Sequence, residues 1–195
     1  MLPAGHIGFS LVGVITYKKI TKTKNPLKLN LYLLIIAALL PDIVDKIIGL
    51  IFITKFHTCR LYGHTIWFSF TILFVLYKIY PKWKIYGWIE FGHLLLDNMF
   101  FFPQTLFYPL LGIKFYALNR INSSNEYIHK LIFNIFHKYP EILFFEVMGM
   151  FFIYVCYKKK DELKNIGINF DLIAKFTSKE IVSLFNFSKS LISIC

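Results

Sequence analysis

Polar side chains set inside otherwise apolar runs constrain this chain more than any other feature. Five apolar segments, at 5–17, 29–53, 64–80, 85–102 and 141–157, are separated by short clusters of lysine. A helix that crosses a bilayer needs about 17–25 such residues, so the first segment is short and the others suffice. With 56% hydrophobic and 17% charged residues, the chain has too little charge to coat a soluble domain of its size. The expectation is an all-α fold: a multi-pass transmembrane helical bundle of four to five helices, with interfacial helices. The net charge of +11 would suit a nucleic-acid partner if it formed a continuous basic face. It does not, because the cations sit at the ends of apolar runs, where they anchor helices against lipid headgroups. The expected partner is the lipid bilayer, and no nucleic acid.

The order of these segments suggests two regions. Residues 1–157 read as a transmembrane helical domain with an interfacial segment at 103–140, and 158–195 as a basic, amphipathic cytoplasmic tail. Within the interfacial segment, Ser123 and Glu126 have capping-box spacing ahead of Ile128, Leu131, Ile132, Ile135 and Phe136, which share one helical face. Thr177 and Glu180 repeat that spacing in the tail. The N-terminal run lacks a basic leader and carries Gly5, His6, Gly8 and Gly13, so it reads as a retained first helix. Lysines 18, 19, 22, 24 and 28, then 78, 82 and 84, then 158–160 fall on one side if five helices alternate. By the positive-inside rule that side is cytoplasmic, which puts the N-terminus out and the C-terminus in, at the cell membrane. The three cysteines, Cys59, Cys156 and Cys195, have neither the number nor the spacing of a disulfide framework or a thiolate zinc knuckle.

Ionisable residues within such segments are costly and face the bundle interior. Alternating helices bring His6, Asp42, Asp45, His64, His93 and Asp97 to one level, near the outer ends of four helices. Asp42 and Asp45 are spaced i,i+3, and His93 and Asp97 i,i+4, so each pair shares a helical face. Imidazoles and carboxylates meeting across a bundle are how helical proteins build sites for zinc, iron or manganese. The bland alternatives are that the aspartates pair with Lys46 or Arg60 and that His64 is a helix cap. His129 and His137 read as solvated surface residues, and Glu90 and Glu146 as packing or pairing residues.

Several short stretches resemble a known family. Leu40-Pro41-Asp42-Ile43-Val44-Asp45-Lys46 resembles the LPDxxDK element of small membrane-bound proteins described as metal-dependent hydrolases. Gly92-His93-Leu94-Leu95-Leu96-Asp97 is similar to their HLLLD element, and Arg60-Leu61-Tyr62-Gly63-His64-Thr65 to their RGxTHS segment. His6 matches the family's N-terminal histidine, and Leu106-Phe107-Tyr108-Pro109-Leu110 resembles its LLYP stretch. The likeness covers roughly the first 115 residues. It departs at Cys59, where many members carry histidine, and at Thr65, where they carry serine.

Residues and resemblance together imply metal-assisted hydrolysis of a lipid-linked or phosphoester substrate. His6, His64, His93 and Asp97 are the expected ligands of a divalent ion, with zinc the leading choice. Asp42 or Asp45 is a further ligand or the base that orients water, and Arg60 holds an anionic group. The competing expectation is a non-catalytic integral membrane protein whose buried His and Asp residues form a structural metal site or polar network. Transport is a weaker third, because five short helices leave little room for a gated path.

Overall fold

Apolar runs without turn residues become helices here, and the polar or proline-bearing stretches between them decide where each one stops. The structure is a computed structural model, and it describes residues 2–21, 29–52, 56–115, 123–138, 141–165 and 167–169. Its helices are α1 Pro3–Thr21, α2 Leu31–Ile51, α3 Ile66–Lys78, α4 Lys84–Leu96, α5 Pro103–Leu106, α6 Ser124–Phe133, α7 Glu141–Lys158 and α8 Lys160–Asn165. The fold is all-α. Among the described residues its one exception is a parallel pairing of two short strands, β1 Leu29–Asn30 and β2 Ile168–Asn169.

α1 packs most extensively along α7, α2 lies against α4 and α1, and α3 lies against α4. The seam of the bundle is filled by Leu11, Val14, Leu34, Ala38, Ile89 and Cys156. Where α1 meets α7, a Cβ on Gly8 would collide with the Gly149 backbone, and one on Gly149 with Ala4 and Gly5. Absent side chains let two backbones touch, as in helix pairs that associate in lipid. Leu163 and Ile168, which the sequence assigned to the tail, are buried in this same core.

Two expected segments end elsewhere, for visible reasons. The segment at 64–80 begins later as a helix: His64 closes a 3₁₀ turn at Tyr62–His64, and Thr65 caps α3 by accepting from the Phe68 N–H at 3.2 Å. The segment at 85–102 is cut short. α4 stops at Leu96, Asp97 is its C-cap, and Asn98 takes a left-handed φ of 53° that turns the chain away. The interfacial helix forms where capping-box spacing put it, with the Ser123 hydroxyl accepting from the Glu126 N–H at 3.2 Å. Ile128, Ile132 and Phe136 on its apolar face stay exposed, while Ile135 is buried. The tail helix after Thr177, the lysines at 22, 24 and 28, and Cys195 lie outside the described residues.

No single helix among the described residues is long and apolar enough to cross a membrane. α3 and α4 are each 13 residues long, α2 is interrupted by Asp42, Asp45 and Lys46, and α7 carries Glu141 and Glu146. Asn125–His137 and Glu141–Lys158 reach that length and apolarity together, across a bend of 85°.

Candidate metal centre

Asp45 organises the site from its base. It is fully buried, and its carboxylate accepts the backbone N–H groups of Leu61 at 2.5 Å, Gly63 at 2.6 Å and His64 at 3.2 Å. It also takes the His64 imidazole at Nδ1, 2.7 Å away. The Leu61–His64 turn is therefore wrapped around one carboxylate on α2. Gly63 sits where a Cβ would strike the Pro41 carbonyl, so the turn can close only with glycine there. With Oδ2 engaged by the Leu61 N–H, the His64 N–H and His64 Nδ1, and Oδ1 by the Gly63 N–H, Asp45 clamps the turn and the His64 ring.

The clamp decides a tautomer. An imidazole that donates Nδ1–H to an ionised carboxylate presents a lone pair at Nε2. His93 is set in the same way: its Nδ1 donates to the Ala38 carbonyl on α2 at 2.8 Å, because a carbonyl can only accept. The Nε2 atoms of His64 and His93 then face each other at 3.3 Å. Asp97 Oδ2 lies 3.4 Å from His64 Nε2 and 4.0 Å from His93 Nε2, and Asp42 Oδ1 lies 3.7 Å from His64 Nε2. One ligand atom from each of Asp42, His64, His93 and Asp97 falls within 4.8 Å of the others, and all four residues are buried. Tetrahedral bonds of about 2.0–2.1 Å put ligand atoms roughly 3.3–3.5 Å apart, close to this spacing. Four acceptors converging in a low-dielectric interior repel one another unless a cation or a proton lies between them.

His6 flanks this group. It is fully buried, stacks on His93 with ring centroids 4.0 Å apart, and lies 3.1 Å through Nε2 from Asp97 Oδ1. That approach is off-line for a hydrogen bond, and both His6 ring nitrogens lack a hydrogen-bond partner among the described residues. Asp42 also realises the bland expectation, since its other oxygen pairs with Lys46 at 2.8 Å. Arg60 stands at the rim, 40% exposed, with its guanidinium 3.6 Å from Asp97 Oδ2 and over the Phe102 ring at 5.0 Å. Cys59, next to it, is buried, and burial pushes its thiol up to about 11. His129 and His137 are exposed.

The structure thus brings the six predicted inner residues together but sets them at different positions. Asp42 joins the ligand-spaced group, His6 stands beside it, and Asp45 lies one layer behind. Reading the sequence missed the Ala38 carbonyl, which no residue type could signal, and Tyr127 on α6. The Tyr127 hydroxyl is pushed up to about 12, by burial first.

The YdjM inner membrane protein family matches residues 1–162. The chain belongs to that family. YdjM membership makes it a membrane protein, and the matched span takes in all the residues of this group as well as α7. No curated protein and no solved structure matches the chain.

Proposed function

We propose that this YdjM family member is a membrane-embedded, metal-dependent hydrolase. The observation that carries this reading is the pair of Nε2 atoms, 3.3 Å apart, on rings each held by a partner at Nδ1. His64, His93 and Asp97 are the ligands, which leaves a position open for water, and zinc suits their nitrogen and oxygen donors at this spacing. A bound divalent ion there supplies a water whose pKa falls from about 15.7 toward about 7. Asp42, held by Lys46, is placed to ligate or to orient that water, and Arg60 at the exposed rim is placed to receive an anionic group such as a phosphoester. His6 braces Asp97 from the opposite side.

The bundle crosses the bilayer as a multi-pass protein, with the N-terminus out and the C-terminus in. The lysine placement supports the orientation, and the exposed faces support the embedding: Trp67, Phe70 and Phe74 on α3, with Phe144, Phe151 and Tyr154 on α7, form apolar surfaces that a soluble protein does not leave open. A site among membrane helices, with its arginine at the rim, suits a lipid-linked substrate.

One observation favours a second reading. A proton on His64 Nε2 would also relieve the two facing lone pairs, leaving a buried polar network with no metal and no catalysis. Elemental analysis of purified protein separates the two. The expected result is about one divalent ion per chain, lost in His93→Ala and Asp97→Asn at unchanged helical content and retained in His129→Ala and His137→Ala. Hydrolysis of bis(p-nitrophenyl) phosphate should follow the metal. A well-folded, metal-free preparation that stays metal-free when zinc is added would leave the polar network as the answer.

A further inference from the structure

α1 begins without a cap of its own. Pro3 has no N–H, its first turn has no acidic residue, and the His6 N–H reaches only the Leu2 carbonyl at 3.3 Å. The two remaining donors of that turn are met from another helix. Glu146 on α7 accepts the Ala4 N–H through Oε1 at 2.7 Å and the Gly5 N–H through Oε2 at 2.9 Å. A carboxylate at a helix N-terminus satisfies orphan donors and complements the helix dipole, here across 142 residues of sequence. The Gly8–Gly149 contact, one turn further along both helices, brings the backbones close enough for this bidentate grip. The next residue after the two gripped amides is His6, buried against His93 and Asp97 with no hydrogen bond to hold its ring.

We infer that Glu146 is a positioning residue for the candidate centre: by capping α1 from α7 it sets the height and rotation at which His6 meets Asp97 and His93. The ring makes no in-line hydrogen bond, only the 3.1 Å approach to Asp97 and the stack on His93, so the height of its backbone, which Glu146 holds, decides how it meets them. The inference rests on the metal reading for its effect on the ion but not for the capping geometry, and the test has one arm for each.

The first arm uses metal-free protein and follows ethoxycarbonylation of each histidine by diethyl pyrocarbonate, read by mass spectrometry. Glu146→Ala should raise the rate at His6 at least several-fold while His64 and His93, held by Asp45 and Ala38, keep their wild-type rates. Glu146→Gln keeps one carbonyl oxygen for one of the two N–H groups and should fall between. An unchanged His6 rate overturns the inference, and so does an equal rise at all three histidines, which would mean general loosening. The second arm measures zinc affinity in a double-mutant cycle. Glu146→Ala should weaken zinc binding by about ten-fold, in the range for residues that orient ligands, and by less than about two-fold when His6→Ala is already present. Equal losses in both backgrounds would show that Glu146 acts elsewhere. Wild-type protein that binds no zinc sinks the metal reading alone, and the first arm still decides the capping.

Discussion

A carboxylate that accepts from three backbone amides and an imidazole, as Asp45 does, belongs to the architecture of the site more than to its chemistry. Asp45→Asn should therefore act through His64: the amide offers one acceptor oxygen, and its NH₂ opposes the N–H donors of the turn. Zinc affinity should drop by roughly 10–100-fold, the usual cost of losing such a partner, and calorimetric titration checks it. If Asp45 were instead the base in the reaction, affinity would stay and only turnover would fall. Cys59 allows a second measurement. Because its thiol is raised to about 11, it should alkylate slowly at neutral pH. Its rate should climb about ten-fold per pH unit from pH 7.5 to 9.5, as the thiolate fraction grows. Impermeant reagents used to map sidedness through Cys59 therefore need alkaline conditions. At this scale the sequence was most legible where two side chains of one helix share a face, as His93 and Asp97 do. It was least legible where the partner is backbone: the Leu61, Gly63 and His64 amides and the Ala38 carbonyl carry no residue signature.

Helices were readable as apolar runs, and their ends were not. α4 was expected to run to 102, but Asn98 in the left-handed region ends it, a conformation that asparagine tolerates without advertising it. α3 was expected to start at His64, but Asp45 draws that residue into the preceding turn, and Thr65 takes over the capping. Thr65 also donates its hydroxyl to the Tyr62 carbonyl at 2.7 Å, so it joins turn and helix. Thr65→Val keeps the shape and removes both bonds, and should cost about 1–2 kcal/mol in a denaturation series. The α1–α7 contact predicts a larger effect. Gly149→Val places side-chain atoms where the Ala4 and Gly5 backbone lies, so the helices must separate. It should destabilise by about 1–3 kcal/mol or more and also raise His6 labelling, whereas the same change at Gly13, with open space around it, should do neither.

For the whole molecule, the all-α class could be read from composition and run length, whereas the join between bundle and tail could not. A boundary near residue 157 looks natural where apolar sequence gives way to lysine, yet Leu163 and Ile168 return to the core and β2 pairs with β1. That return depends on two apolar residues in a polar stretch, too faint a pattern to see without the partner strand. Truncation after Asn169 should leave zinc content near that of the full chain, because no proposed ligand lies beyond it. Truncation after Lys160 should lower the melting midpoint in detergent by several degrees, because it uncovers Leu29 and removes two buried side chains. The clamp at Asp45 also has a consequence for how the protein is made. On insertion scales a central aspartate or lysine costs about 2.5–3.5 kcal/mol, and each leucine or isoleucine returns only about 0.3–0.6. α2, with Asp42, Asp45 and Lys46 among its aliphatic residues, sits near balance or on the wrong side of it when alone. Its acceptable partners, the 61–64 turn and His93, emerge from the ribosome only afterwards. On the proposed multi-pass reading, α2 should then wait at the translocon exit until the following helices arrive, so that the polar centre enters lipid already folded around itself.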